Sequence, residues 1–275
     1  MSAGQSADAT PAAEIGVLGG SGFYAFLDDV HEVPVTTPYG DPAEVPVVGE
    51  AGGRRVAFIP RHGGDHRFPP HQVPYRANIW ALRALGVRQV IAPCAVGGLS
   101  ADLGPGSLVV PDQLVDRTSG RAQTFYDDGA VHVSFADPYC PRGRAAAVQA
   151  AGEDGWPVTD GGTMVVIQGP RFSTRAESQS YAAQGWSVVN MTGHPEAVLA
   201  RELALCYTPL ALVTDVDAGV EAGEAVTGAE VLRVFAANVD RLRALLATVV
   251  EALPTQRRCP CASALDGLRV DLVLP

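Results

Sequence analysis

The stretch Leu212-Val213-Thr214-Asp215-Val216-Asp217 ends an apolar run in two carboxylates two positions apart. On extended backbone, alternate side chains share a face, so Asp215 and Asp217 would point to one side. Two carboxylates held close at a partly dry site raise at least one pKa. One can then give a proton to a leaving nitrogen while the other accepts from an amine. A solvated loop and a magnesium site are the other readings of this pair, although no further carboxylate cluster supports a metal.

Other loops carry groups suited to an anion. Gly19-Gly20-Ser21-Gly22 follows a strand-like run, where glycines let backbone approach an anion and Ser21 adds a hydroxyl. Gly20-x-Gly22-x-x-Ala25 fits a loose dinucleotide fingerprint. However, Pro34 and Pro38 fall where a crossover helix and second strand should finish, and no acidic residue is placed to hold a ribose. A phosphate-sized anion site or a plain tight turn remains. Arg61 and His62 end a second strand-like run and offer charge and directed donors. His66 and His71 follow, but Pro69 and Pro70 break the helical spacing of a familiar zinc site. Cys94-Ala95-Val96-Gly97-Gly98 is a strand ending in a glycine turn, structural when taken singly. Phe172, Ser173 and Thr174 put an aromatic and two hydroxyls at a helix start. There Thr174 and Glu177 make a capping box, and Phe172 fits a core position as well as a ligand contact. Asn190-Met191-Thr192-Gly193-His194-Pro195-Glu196 joins strand to helix, offering a hydroxyl and a helix N-terminus to an anion.

These loops are punctuation in a regular alternation. Residues 15–18, 56–59, 90–92, 164–167, 188–190 and 210–214 read as strands, and 77–85, 145–151, 175–183 and 196–205 as helices. Thr227 and Glu230 open a last helix as a capping box, followed by apolar residues at helical spacing. The segment 30–50 reads as paired strands without helices. The fold class is therefore α/β, a single domain with a central mixed β-sheet flanked by helices. In such sheets ligands gather at the carboxyl ends of strands, where the loops above lie. We place the domain at 14–254, between a disordered tail at 1–13 and a polar C-terminal tail at 255–275.

Composition limits the partners. The 275 residues are 47% hydrophobic and 18% charged, enough for a large core. No apolar run approaches the roughly 20 residues that span a bilayer, and the first residues carry no secretory signal. The expected location is the cytoplasm. Thirty acidic against 20 basic residues, all of them Arg, leave no basic patch for nucleic acid or an anionic membrane. Any bound anion is held locally, against an unfavourable global field. Five cysteines argue against a disulfide scaffold. Cys94, Cys140 and Cys206 read as buried thiols. Cys259 and Cys261 form a Cys-Pro-Cys pair, a redox pair or half a metal site, but with no second Cys/His pair nearby it reads as neither.

Together the strings IGVLGGSGFY, RHGGDHRFPPHQVPYRANIWAL, PGSLVVPDQLVDRTSGR, QGPRFSTRAES, NMTGHPEAVLARE and TDVDAG, in this order over 15–253, resemble the trimeric purine nucleoside phosphorylase family, and within it the 5′-methylthioadenosine phosphorylases. The resemblance implies a nucleoside phosphorylase-like fold and a reversible reaction in which phosphate attacks the ribose C1′ and releases the purine. It implies no metal or organic cofactor, with inorganic phosphate as co-substrate. It maps a phosphate site to Ser21, Arg61, His62, Cys94, Ala95 and Thr192, with Ser173 nearby. Met191 falls against the ribose and Phe172 against the base. Asp215 is placed at N7 and, with Asp217, near the 6-amino group. His132 matches a residue reaching the 5′ end from a neighbouring subunit, so a homo-oligomer, a trimer in this family, is implied. Val226, Val231 and Leu232 match the part that covers the 5′ substituent. Asp215 and His62 are the expected catalytic residues.

The two acids favour a 6-aminopurine, because a 6-oxo group would set oxygen against carboxylate oxygen. The alternative is a 6-oxopurine nucleoside phosphorylase acting on inosine, guanosine or methylthioinosine. The HRFPPHQV string and the Gly193 position resemble thioinosine-type relatives. From other classes, a nicotinamide-dependent oxidoreductase lacks its ribose acid, and an idle nucleoside binder would not need Asp215, Arg61 and His62 intact. Cys94 stands where many relatives have Thr, which predicts weaker phosphate affinity. His194 stands where relatives have a small or apolar residue, either at the 5′ end of the sugar or simply at the helix start.

Overall fold

The computed structural model describes residues 12–21, 23, 26–217 and 226–275. Most of the N-terminal stretch read as a tail, together with Gly22 and Ala25 of the glycine loop, lies outside the described residues. Eleven strands form one mixed sheet among them: β1 (Ile15–Gly19), β2 (His31–Glu32), β3 (Val47–Ala51), β4 (Arg54–Pro60), β5 (Gln89–Gly98), β6 (Leu108–Val110), β7 (Gln113–Arg117), β8 (Val158–Asp160), β9 (Thr163–Ile167), β10 (Val188–Asn190) and β11 (Cys206–Val216). The helices are α1 (Tyr75–Ala84), α2 (Pro141–Glu153), α3 (Arg175–Ala183), α4 (Gly193–Glu202) and α5 (Gly228–Ala252).

The expected strands at 90–92 and 210–214 prove to be pieces of β5 and β11, the long strands at the centre. An apolar window stops at Pro93 and Pro209, which lack an N–H for the ladder, yet both strands continue through them. Segment 30–50 supplies β2 and β3, which extend antiparallel from β4. Helices cover both faces. Ile79 and Trp80 of α1 pack with Ala197 and Leu199 of α4 on one side. Ala147 and Ala150 of α2 pack with Leu242 and Leu246 of α5 on the other. In α3 the capping box is complete: Thr174 Oγ1 accepts from Glu177 N at 3.2 Å, and Glu177 Oε2 from Thr174 N at 2.7 Å. In α5 half of the expected box is present. Thr227 Oγ1 accepts from Glu230 N at 3.3 Å, but Glu230 gives its carboxylate to Arg233 at 2.6 Å, an opposite charge one turn along the helix.

One feature of β5 makes the site. Its start pairs with β1 (Ile91 opposite Val17) and its end with β10 (Gly97 opposite Val189), both on the same edge, while β11 runs along the other. Where β1 has diverged and β10 has not arrived, the ladder opens at Pro93–Val96. Side chains meet the carbonyls there: Arg61 Nη1 donates to Pro93 O at 3.4 Å and Asn190 Nδ2 to Ala95 O at 3.2 Å.

Past α5 the chain turns back on the body. Gln89 Nε2 donates to Pro254 O, Arg257 Nη1 to Ala204 O, and Leu272 and Leu274 pack against the α1/α4 core. This return corrects the reading of Cys259 and Cys261. Cys140, just before α2, and Cys206, opening β11, form with them one cluster of four thiols, brought together by tertiary contacts between segments remote in sequence.

Candidate active site

A cavity of about 400 Å³ fills the opening in the β5 ladder. Ser21, Arg61, His62, Cys94, Ala95, Phe172, Ser173, Met191, Thr192, Asp215, Asp217, Val231 and Leu232 all line it. Val226 is half-buried beside it in sequence but is not among the lining residues. His132 is exposed and lines a separate cavity with Gln113 and Arg201.

At one end lies Arg61, 1% exposed. The Gly19–Ser21 loop passes over it closely: a Cβ on Gly20 would stand 2.8 Å from Pro93 O and 3.0 Å from Arg61 Nη1. Its charge is already partnered. Nε and Nη2 donate to the two oxygens of Glu196 at 2.6 and 2.9 Å, and the Tyr207 hydroxyl donates to Glu196 Oε2 at 2.6 Å. Burial works against the guanidinium charge, but Glu196 outweighs it and the Arg61 pKa is raised. Removing Glu196 would strand a buried cation, a loss of about 3–5 kcal/mol. His62, expected to supply a directed donor, differs from that reading at Nε2. Burial and the Arg61 charge push its pKa down to about 4. Its Nδ1 lies 2.8 Å from Phe68 O, so Nδ1 carries the hydrogen and Nε2 is left as an acceptor. Burial likewise pushes the Cys94 thiol up to about 12, so it faces the cavity as S–H. At this end Glu196 offsets the Arg61 charge and His62 is neutral, so an anion relies on directed donors.

The helix N-terminus expected to serve an anion is occupied. Asn190 Oδ1 accepts from the N–H groups of Thr192 and Gly193, each at 2.7 Å, and His194 interrupts helical geometry with φ −117° and ψ 132°. An Asn closing a strand before a turn is the signal that could have shown this. The Ser173 hydroxyl is buried and has no partner among the described residues, as a group that meets a ligand would.

At the other end, β11 carries a bulge: Val213 lies opposite Val96 and Asp215 opposite Gly97, so Thr214 is the extra residue. Both acids gather over Gly97, where a Cβ would stand 3.0 Å from Asp215 Oδ1 and 3.2 Å from Asp217 Cβ. They share the cavity as expected, although plain extended backbone is not what puts them there. Thr214 Oγ1 donates to Asp215 Oδ2 at 2.8 Å, and Ser178 Oγ to Asp217 Oδ2 at 2.5 Å. Burial raises Asp215 to about 6, against the Thr214 hydrogen bond and with a contribution from the Asp217 charge.

Two supports were not singled out in the sequence. Glu196 is wholly buried under Arg61. Arg121 donates to the carbonyls of Met191 at 2.9 Å and Gln168 at 2.7 Å, tying together the loops that bear Met191 and Phe172. His194 is absent from the cavity lining; its Nε2 lies 2.8 Å from Gln123 Oε1 and 3.3 Å from Asp116 Oδ2, so of its two readings the helix-start position holds.

A mixed sheet whose central strand opens onto paired acids and a glycine loop defines a class. A sequence model of the Phosphorylase superfamily matches residues 14–251, and the chain belongs to that family. It is an enzyme of the pentosyltransferase kind, with the nucleoside phosphorylase fold. It is 63% identical over 274 residues to the purine nucleoside phosphorylase of Streptomyces coelicolor, covering 96% of this chain and 98% of that one. It is 57% identical over 262 residues to the S-methyl-5′-thioadenosine phosphorylase of Mycolicibacterium smegmatis, covering 95% and 99%. The crystal structure of a methylthioadenosine phosphorylase from an antarctic soil metagenomic library superposes with a TM-score of 0.87 at 40% identity, over 94% of this chain and 92% of that one.

Proposed function

We propose that this enzyme carries out reversible phosphorolysis of 5′-deoxy-5′-methylthioadenosine, accepts adenosine as a second substrate, and yields adenine and 5-methylthioribose 1-phosphate. The observation that carries this reading is the pair Asp215 and Asp217 over Gly97, at the opposite end of one cavity from Arg61. Relatives named for methylthioadenosine support it.

Phosphate sits among Ser21, Arg61, Cys94, Ala95 N–H, Ser173 and Thr192. It acts as nucleophile and as the anion beside an oxocarbenium-like C1′. His62 Nε2 accepts a hydrogen from a protonated phosphate oxygen. Met191 backs the ribose and Phe172 the base. Asp215 gives a proton to N7, turning the purine into a competent leaving group. With its pKa at about 6, about one molecule in ten carries that proton at pH 7. Thr214 occupies Oδ2, which turns Oδ1 to the base. Asp217, fixed by Ser178, accepts from the 6-amino group. Val231 and Leu232, with Val226 at the margin, offer carbon rather than hydrogen bonds to the 5′ substituent, which suits methylthio over hydroxyl. The reaction needs phosphate as co-substrate and no cofactor. His132 completes the 5′ end of a neighbouring subunit in a trimer.

The test compares kcat/KM for phosphate-dependent cleavage of methylthioadenosine, adenosine and inosine. The expected order is methylthioadenosine, adenosine, then inosine nearly inert. A preference for inosine replaces this reading with the 6-oxopurine alternative, because the acids would then not face the base as a pair.

A further inference from the structure

We propose that Cys140, Cys206, Cys259 and Cys261 bind one zinc ion in a tetrahedral thiolate site that fastens the C-terminal segment to the body of the protein. The four Sγ atoms lie within 4.8 Å of one another, with Cys206 and Cys259 at 3.4 Å. Zinc–thiolate bonds of about 2.3 Å in a tetrahedron place the sulfurs about 3.8 Å apart, so four ligands already stand near their bound positions. All are thiols, and none is joined to another. Four soft sulfur ligands with this geometry select zinc over hard cations.

The scaffold holds this arrangement without help from the sulfurs. Cys140 N donates to Tyr207 O at 2.9 Å, which brings the entry to α2 beside the start of β11. A short 3-10 turn, Pro260–Ser263, points Cys261 inward, where it is 1% exposed. Cys259 is the half-exposed member. Cys261 also borders the cavity shared with His132 and Arg201, a path by which an ion can enter.

Charge is accounted for. Zn²⁺ binding releases four thiol protons to solvent and leaves a net double negative charge. Arg201 stands against it, with Nη2 3.9 Å from Cys261 Sγ, and is itself fixed by the carbonyls of Ser134 and Asp137 at 2.6 Å. None of the four cysteines lines the cavity that holds Asp215, so the metal is structural. Its contribution is to join three chain segments far apart in sequence.

The test uses the full chain, expressed in zinc-supplemented medium and purified under reducing conditions without chelator. Zinc is measured by elemental analysis, and thiols are counted in denaturant with EDTA. The expected result is one zinc per chain and all five cysteines titrating as thiols. Five thiols with clearly substoichiometric zinc overturns the proposal, as does a shortfall of two or four thiols, which would mean disulfides instead. A second arm uses Cys259→Ser, a change at the half-exposed ligand. It should abolish stoichiometric zinc and lower the Tm by about 5 °C or more, with kcat/KM for nucleoside within about two-fold of the parent. Full zinc retention in that variant also overturns the assignment. Cobalt substitution gives a third readout: tetrahedral thiolate coordination produces intense visible bands and a sulfur-to-metal charge-transfer band, and their absence counts against the site.

Discussion

Asp215→Asn separates the two costs that the fold imposes at one position. Burial moves the carboxyl pKa from its ordinary 3.8 to about 6, equivalent to about 3 kcal/mol of stability lost once the group is ionised. The sign follows from the direction of the shift. A folded-state pKa above the unfolded one means the native state holds its proton more tightly. Below about pH 4 there is no penalty, between about 4 and 6 it accumulates, and above about 7 it is complete. Asn resembles the protonated acid in shape and charge, so it escapes the penalty. At pH 8 the variant should be more stable than the parent by up to about 3 kcal/mol, or about 5 °C in Tm for a chain of this length. At pH 4 the two should nearly coincide. Activity should move the other way, because an amide cannot transfer a proton to N7. kcat/KM for methylthioadenosine should fall by about 10²–10⁴-fold, while the inosine-to-adenosine ratio rises. The assay is thermal unfolding across pH 4–8 beside steady-state kinetics on the three nucleosides. A Tm difference that does not change with pH would falsify the desolvation argument, and unaltered kcat/KM would remove Asp215 from the reaction.

Three further outcomes follow from the same geometry. Cys94→Thr restores a hydroxyl where a neutral thiol now faces the cavity, and should lower the phosphate KM about five-fold, the equivalent of about 1 kcal/mol for one hydrogen bond; an unchanged KM would show that phosphate does not reach this position. Ser173→Ala removes a buried hydroxyl without a partner among the described residues, so Tm should hold or rise slightly while KM for phosphate or nucleoside rises about five-fold. A fall in Tm with no change in KM would mean the hydroxyl serves the fold. Arg121→Ala leaves the Met191 and Gln168 carbonyls without their donor. It should cost about 1–3 kcal/mol in thermal or denaturant unfolding and raise KM for nucleoside more than for phosphate, and equal effects on both would place Arg121 outside the nucleoside half of the site.

Many of the cavity-lining residues are legible in the sequence, because they are particular residue types at the ends of strands. Apolar runs that stop at Gly20, His62, Gly97, Asn190 and Asp215 announce a parallel-rich sheet with its loops on one rim, and a pair of acids cannot hide at the end of a run like Leu212–Thr214. The α3 capping box is local and was readable for the same reason. What sequence alone misjudged was electrostatic state. Arg61 and His62 read as charge with directed donors, yet Glu196 partners the first across 135 positions of chain, and burial leaves the second with Nε2 as an acceptor. Charge depends on neighbours and solvent, and both are set by packing between elements.

Hydrophobic period and turn chemistry act over a few residues, so the α/β alternation and the rim of glycine, hydroxyl and acid loops are written locally in the chain, while Met191, Val231 and Leu232 enter through the family resemblance. Long-range packing sets the rest: β5 is shared between β1 and β10 with a gap between them, a bulge at Thr214 gathers both acids over Gly97, and Cys140 and Cys206 meet Cys259 and Cys261. Each of these is a contact between segments remote along the chain. Such contacts are selected by burial of the whole core, and no local pattern encodes them.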